Sequence, residues 1–323
     1  MAVTIKDVAK YAGVGIGTVS RVLNGEKAVN GETRERVLQA IKDLKYTPNQ
    51  MAAKLRKNAN KIIALLIPVI DHPFFAKFAY YVEDEADKYG YSILLVSSQQ
   101  KIGKESEILS KIRRREVDGA VFVTHYEHDA KEVENCAIVS IDRKVTDGIP
   151  YVTSDNYAST KKAVEYLIEK GCKSIGYVGS KPLVNSEVML RLDAYKDVMI
   201  KHGLESQVVN EIIAHGEERK VVSEFFDKYK SVDGVFVSGF TMAQAFCTVA
   251  KERGIKIPSD MQMISYDGSF RQWNGGVTMS CVEQNVEKMA RTVVGLLISK
   301  INNKEVPLRT EIETEFIKGE STL

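Results

Sequence analysis

The stretch Val14-Gly15-Ile16-Gly17-Thr18-Val19-Ser20-Arg21-Val22-Leu23-Asn24 decides how this chain is read. Val19, Val22 and Leu23 recur at helical spacing, whereas Ile16, Gly17, Ser20 and Arg21 fall off that stripe and are free to face a partner. Just upstream, Ile5, Val8, Ala9 and Ala12 form the apolar stripe of a short helix, and Thr4 with Asp7 fits a capping box at its start. Gly13 supplies a residue able to take positive φ in a tight turn between the two helices. Downstream, Asn30 fits a helix cap, and Val37, Ala40, Ile41 and Leu44 form the buried face of a third helix. Three short helices sharing a polar face predict a helix-turn-helix whose second helix enters a DNA groove. Gly13, Gly15 and Gly17 imitate a dinucleotide fingerprint, but that motif requires a preceding strand and a third glycine where Thr18 stands, and here a helix precedes it.

The charge distribution agrees. Residues 1–60 carry a net +6 and the rest of the chain −4, a basic head on a slightly acidic body, which suggests a polyanionic partner for the head alone. Pro48 suits the first turn of a new helix, and Gln50 to Asn58 reads as a short helix with Met51, Ala52 and Leu55 on one side. A helix of about nine residues is marginal alone, so this one is expected to order when two copies meet on DNA. Leu55, between Lys54 and Arg56, is then a candidate wedge for a minor-groove base step with phosphate contacts on either side. The residues alone leave open the alternative of a plain linker whose Leu55 packs on its own domain.

From Lys61 the texture changes. Ile62 to Ile67 is a continuous apolar run closed by Pro68, as in a buried parallel strand. Helices over 74–88 and 104–115 alternate with strands over 92–96 and 119–123, and Ala137 to Ile141 is a fourth apolar run. The pattern repeats: helices near 158–170 and 188–202, strand-like runs at 174–178, 208–214, 234–237 and 261–266, a final helix over 286–301, and an alternating edge-like strand over 311–317. The expected fold class is α/β, with two doubly wound parallel-sheet subdomains and a binding crevice at the carboxyl ends of their strands. The chain has 323 residues, no apolar run near 18 residues and no signal-peptide pattern, so a cytoplasmic protein without a membrane partner is expected. Cys136, Cys172, Cys247 and Cys281 lie too far apart for a zinc or redox motif and read as buried thiols.

Several blocks at fixed spacing carry a resemblance. Thr4-Ile5-Lys6-Asp7-Val8-Ala9, Thr18 to Asn24 and Tyr46-Thr47-Pro48-Asn49 resemble the lactose-repressor/galactose-repressor family of bacterial transcription regulators. The likeness continues through Asp155-Asn156, Arg191, Ile257-Pro258-Ser259-Asp260, Tyr266-Asp267 and Glu283-Gln284. It implies a DNA-binding head at 1–47, a hinge helix at 48–60, and an effector-binding body similar to periplasmic sugar-binding proteins. The first subdomain would hold 61–171 and 285–317, the second 172–284 and 318–323. The implied partners are a pseudo-palindromic operator, a small effector, and a second copy in a homodimer or a dimer of dimers. The DNA-binding set it implies is Thr4, Ile16, Gly17, Thr18, Ser20, Arg21, Asn24, Lys27, Asn49, Ala52, Leu55 and Arg56. In that set Ile16, Gly17 and Arg21 face bases, Lys27 supports them, and Leu55 is the hinge leucine that pries open the central step. Arg21 can bond a guanine bidentately, whereas Gly17 offers no side chain where the family usually has one.

In the body the resemblance points to Arg191 as a cleft arginine suited to sugar hydroxyls or a carboxylate, and to Asp267 as an acceptor of hydroxyl hydrogen bonds. Asp71, His72, Phe74 and Phe75 match the first cleft loop, and Gln284 the crossover back to the first subdomain. Where the family usually has an Asn/Ser–Asp pair, this chain has Gly239-Phe240, and the aromatic is the expected replacement for the missing carboxylate. Trp273 is more at home capping the surface than in the cleft. His125 and His128 lack a third ligand nearby, so no metal is expected, and Glu83, Asp84, Glu85 and Asp87 read as a solvated helix face. No catalytic constellation or phosphate loop stands at motif spacing, so neither enzyme activity nor a cofactor is expected. The leading reading is a repressor of a carbohydrate-utilisation operon controlled by a sugar or sugar phosphate. The alternatives are a co-repressed regulator with a non-sugar effector, a solute-binding protein, and an enzyme of sugar metabolism.

Overall fold

The computed structural model describes residues 3–23, 26, 28–46, 60–99, 101–123, 126–213, 216–268 and 278–323. Asn24, Lys27, Asn49, Ala52, Leu55, Arg56, His125, Trp273 and the expected hinge helix at 48–60 lie outside the described residues, apart from Asn60. Residues 1–60 and 61–323 form two compact units.

The first unit holds three helices, α1 (Ile5–Ala12), α2 (Ile16–Leu23) and α3 (Gly31–Asp43). Both halves of the capping box at α1 form: the Asp7 amide donates to Thr4 Oγ1 at 3.4 Å, and the Thr4 amide donates to Asp7 Oδ2 at 2.8 Å. Such a cap stabilises a helix by about 1 kcal/mol. Gly13 ends α1 at φ +65°, a left-handed conformation that a side chain would strain. Asn30 caps α3 by accepting from the Thr33 amide at 2.9 Å. Val8, Ala9, Ala12, Val19, Val22, Val37 and Ala40 close on one another in a small core. Helices this short are marginal alone, and this shared apolar contact holds them together.

The second unit contains two six-stranded sheets. In the first, β1 (Ile62–Ile67), β2 (Ser92–Ser97), β3 (Gly119–Phe122), β4 (Ile138–Ile141), β5 (Tyr151–Ser154) and β11 (Arg309–Ile312) lie in the order β11-β5-β4-β3-β1-β2, all parallel. In the second, β6 (Ile175–Ser180), β7 (Gln207–Glu211), β8 (Gly234–Val237), β9 (Gln262–Tyr266), β10 (Ser280–Glu283) and β12 (Glu315–Ile317) lie in the order β12-β10-β9-β8-β6-β7. Only the β10–β12 pair is antiparallel. The apolar run at β1 sits one strand from the sheet edge, with Ile63 to Ile67 fully buried. Helices α4 (Pro73–Lys88), α5 (Ile102–Arg113), α6 (Ala130–Val133) and α11 (Val286–Ile301) belong with the first sheet. Helices α7 (Asn156–Glu169), α8 (Leu190–Lys201), α9 (Glu218–Lys228) and α10 (Phe240–Glu252) belong with the second.

Two expected boundaries are corrected. The segment 156–171 belongs to the second subdomain, because Ala163, Val164 and Leu167 of α7 pack against Tyr195, Val198 and Phe236 there. The chain therefore crosses at Asp155, whose side chain caps α7 by accepting from the Ala158 amide at 3.0 Å. The alternating run 311–317 is not one edge strand. It splits after Ile312, buried in the first sheet, and resumes as β12 in the second, where Phe316 meets the Tyr166 ring at 4.9 Å. Sequence patterning also missed β5 and β10, each of which ends at a crossover. The acid cluster on α4 is partly structural: Arg291 of α11 pairs with Asp84 at 3.2 Å and Glu85 at 2.5 Å. The four cysteines are free thiols; three are buried and Cys247 is half-buried.

Candidate nucleic-acid interface and ligand cleft

On the first unit, α2 presents its off-stripe residues outward. Ile16 is 41% exposed, Gly17 and Arg21 are exposed, and Thr18 and Ser20 half-buried, while Val19 and Val22 face the core. An exposed isoleucine on a basic three-helix unit is a surface made for contact. Gly15 stands at the head of α2, its carbonyl accepting from the Thr18 and Val19 amides at 2.9 and 3.3 Å. Arg21 Nε lies 3.9 Å from Glu26, a loose and exposed pair that leaves the guanidinium available. Thr4 is exposed, but its hydroxyl is engaged by Asp7 at 2.7 Å, so it positions α1 before anything else.

On the second unit, the carboxyl ends of both sheets converge on a cleft. A cavity of about 260 Å³ is lined by His72 and Phe75 beyond β1, Arg143 beyond β4, Ser180 and Lys181 at β6, and Ser238, Gly239, Thr241 and Met242 beyond β8. His72 caps α4, its Nδ1 accepting from the Phe74 amide at 3.2 Å, and its ring packs 5.1 Å from that of Phe75. Of the four residues expected in this loop, His72 and Phe75 reach the cavity. Phe74 is buried in the core and Asp71 is exposed away from the lining. Adjacent helix positions point about 100° apart, so Phe74 and Phe75 cannot both face the cleft. Phe240 is corrected as well: at 2% exposure it belongs to the core, and the cavity wall is made by Gly239, Thr241 and Met242.

Beside the cavity lies a buried polar cluster. Arg191 is clamped on three sides: Nε donates to Asn156 Oδ1 at 2.7 Å, Nη1 to the Ser238 carbonyl at 2.8 Å, and the guanidinium lies 3.3 Å over the Tyr266 ring. Asn156 is fixed in turn by donating to Thr153 Oγ1 at 3.1 Å and the Ser154 carbonyl at 2.9 Å. Thr153 donates to Asp142 Oδ1 at 2.8 Å. Gln284 holds Asp267 with its backbone N and its Nε2, at 3.2 and 2.7 Å, and accepts from Ser154 Oγ at 2.8 Å. Asp142 and Asp267 are the first residues past β4 and β9, and both adopt left-handed backbone, at φ +56° and +58°. Left-handed aspartates cost energy and gather where a site needs a side chain aimed off the strand end. Burial pushes both carboxyls up, Asp267 to about 7, with Arg191 pulling each of them back.

Asp142, Arg143 and Ser238 were missed by sequence reasoning, and Asn156 entered it only within the block Asp155-Asn156, without a role. Asp142 follows the apolar run 137–141 just as Asp267 follows 261–266, a signal that was available. The two subdomains are tied at this level. The Glu187 amide and the Ser186 hydroxyl donate to the Asp142 carbonyl at 2.9 and 3.0 Å, and Glu187 also accepts from Tyr151 and Arg309. His128 lies outside this cleft lining. It is buried between Glu105, at 2.6 Å from Nε2, and Glu132, at 3.1 Å from Nδ1, so both its ring nitrogens are engaged by carboxylates.

A helix-turn-helix unit joined to a two-subdomain ligand-binding body defines a ligand-responsive DNA-binding regulator. Residues 4–49 match the bacterial regulatory proteins of the lacI family, and residues 164–322 match the periplasmic binding protein-like domain. The chain is 35% identical to the ribose operon repressor of Halalkalibacterium halodurans over 322 residues, covering 99% of this chain and 97% of that one. It therefore belongs to the LacI family. The fold is that of the lac repressor dimer structure with operator and anti-inducer, at a TM-score of 0.86 and 21% identity over all of both chains. A LacI-type regulator from Alkaliphilus metalliredigens solved with D-xylulofuranose has a TM-score of 0.72 and 26% identity, covering 82% of this chain and all of that one.

Proposed function

We propose that this regulator represses a carbohydrate-utilisation operon and responds to a neutral monosaccharide held between the two subdomains of its body. One observation carries the effector class: a clamped arginine and two recessed aspartates stand beside a cavity of about 260 Å³. Ligand pockets for drug-sized molecules run from about 300 to 1,000 Å³, so this one suits a single sugar ring and not a disaccharide. Asp142 and Asp267 are acceptors for hydroxyl donors, while Phe75 offers a face for the apolar side of a ring. The ribose operon repressor relative and the xylulofuranose-bound neighbour are consistent with a pentose.

The acting species is a homodimer on a pseudo-palindromic operator. Edge strand β2 exposes Leu95, and α4 beside it exposes Tyr80 at 65%, an apolar face that supports pairing through the first subdomain. Effector binding changes operator affinity because it favours one arrangement of the subdomains over another. The test is a thermal-shift screen of the full chain with D-ribose, D-xylulose, their phosphates and cellobiose, followed by gel shifts with operator-like DNA. A monosaccharide should raise the melting temperature and alter the gel shift. Stabilisation by the phosphates or by cellobiose alone would refute the effector class, and DNA binding without sequence preference would refute the role.

A further inference from the structure

The short turn Glu187–Met189, between β6 and α8 in the second subdomain, is docked on the first. The Ser186 hydroxyl and the Glu187 amide donate to the Asp142 carbonyl at 3.0 and 2.9 Å, and Ser186 forms an isolated backbone bridge with Arg143. The Glu187 carboxylate reaches two strands of the first sheet: Oε1 accepts from the Tyr151 hydroxyl at 2.9 Å, and Oε2 from Arg309 Nη2 at 3.0 Å. Tyr151 and Arg309 are register partners on β5 and β11, so the two oxygens hold one rung of that sheet. Arg309 is anchored within its own strand by Glu311, 2.6 Å away. Glu187 does not line the cavity, but its neighbour Val188 does, and Arg191 follows four residues on, in the first turn of α8. A residue outside the site is thus joined by its backbone to one wall of the cleft and by its side chain to the opposite subdomain.

An ion pair open to water contributes little to the stability of a domain, because solvent screens it and ordering two long side chains costs entropy. Glu187–Arg309 is such a pair, with side chains 20% and 42% exposed. Its position gives it a different leverage. Tyr151 and Arg309 lie in one subdomain and Glu187 in the other, so the contribution of the contact falls on the equilibrium between joined and separated subdomains. An effector that needs both walls binds only the joined state, and its apparent affinity is the intrinsic affinity multiplied by the fraction already joined. We propose that Glu187 is a positioning residue for the effector, a clasp that assembles the cleft before the ligand arrives and thereby sets the sensitivity of the regulator. The Asp142 and Arg191 side chains then meet the effector already in place, with less ordering left to be done on binding. By linkage the same clasp shifts operator affinity, since both ligands bias one equilibrium. The inference rests on the reading of the cleft between the subdomains as the effector site.

The test is a double-mutant cycle on the full chain: Glu187→Ala, Arg309→Ala and both together, with Arg219→Ala as a control that breaks the Arg219–Glu252 pair inside the second subdomain. Titration calorimetry with D-ribose as probe should show about three- to tenfold weaker binding in each clasp variant, and no further loss in the double variant. Melting temperatures should stay within about 2 °C of wild type, Arg309→Lys should recover part of the affinity, and the control should bind as wild type does. Wild-type affinity in the clasp variants, losses that add in the double variant, losses that track a fall in melting temperature, or an equal loss in the control would overturn the proposal. Failure of D-ribose to bind any of these proteins would count against that sugar, and gel shifts without effector then decide the clasp. On an operator selected by the wild-type chain from random DNA, Glu187→Ala and Arg309→Ala should move affinity about three- to tenfold in one shared direction, and the control should not. Unchanged operator affinity in both clasp variants would overturn the proposal whatever the effector proves to be.

Discussion

Replacing Arg191 with methionine should uncouple the body from its effector while leaving the DNA-binding unit intact. The guanidinium makes two charge-assisted hydrogen bonds, to Asn156 and Ser238, and stacks on Tyr266. Charge-assisted bonds contribute about 1.5–3 kcal/mol each, and a desolvated cation–π contact about 2 kcal/mol. Much of that gain is offset by the cost of holding the charge out of water, so the net loss of stability should be about 3 kcal/mol, as when other buried ionic groups lose a partner. Nη2 has no hydrogen-bond partner among the described residues, and on the proposed reading of the cleft it is the donor left for a ligand. Losing that one donor should weaken sugar binding by a further 1.5–3 kcal/mol, about 10- to 150-fold. Urea unfolding measures the first quantity, titration calorimetry with D-ribose the second, and gel shifts at saturating sugar report the response. Arg191→Lys separates packing from recognition: a retained charge recovers part of the stability, but a single ammonium cannot reproduce the fork and should not restore the response. A methionine variant that unfolds at the wild-type urea concentration and still responds to sugar would refute the reasoning.

On the DNA-binding unit, Arg21→Ala should relax base preference at one operator position by about 1–3 kcal/mol, read by gel shifts on a panel of single-base operator variants. If every operator variant instead weakened alike, Arg21 would be a phosphate contact. Gly239 is extended at φ −177°, and a Cβ built there meets no atom within 4 Å, so Gly239→Asn should fold normally and change which sugars stabilise the protein in a thermal-shift screen. An unaltered sugar profile would place that wall outside the site. Hydrogen bonding to Glu105, and secondarily to Glu132, raises the His128 pKa above its usual value of 6.5. Its contribution to stability is fully present below about pH 6.5 and is lost as pH rises through the folded-state value. The stability difference between wild type and His128→Gln should therefore be largest in acid and shrink with rising pH; a constant gap would mean that His128 is neutral throughout.

The elements that sequence made legible are those whose burial is one-sided or complete. Ile62 to Ile67 read as a buried strand because five of its residues meet no water, and α11 was delimited at 286–301 by its apolar stripe. Strands β5 and β10 escaped because Thr153, Ser154, Ser280 and Glu283 replace apolar residues with polar ones that are buried and bonded in pairs. Hydrophobic patterning cannot see a strand whose polar groups are satisfied by partners elsewhere in the chain, 11 residues away for Thr153, 42 for Ser280 and 130 for Ser154. The same limit hid the role of Asn156, which needs Arg191 beside it to have a purpose. Conversely, Phe240 looked available because an aromatic stood where a polar pair was expected, and only the start of α10 shows that its side chain turns into the core.

The three crossings at Asp155, Gln284 and Glu313-Thr314 mean that neither half of the body is a contiguous stretch of gene. A fragment ending at the first crossing would lack β11 and α11, exposing the flank of β5 and the face of α4 that α11 covers. Recombination with a relative can therefore exchange one lobe only by cutting at three places at once, whereas the head can be exchanged at one. The architecture predicts that DNA targets diversify by shuffling a module, and effector choice by point substitution within a lobe that must be inherited whole.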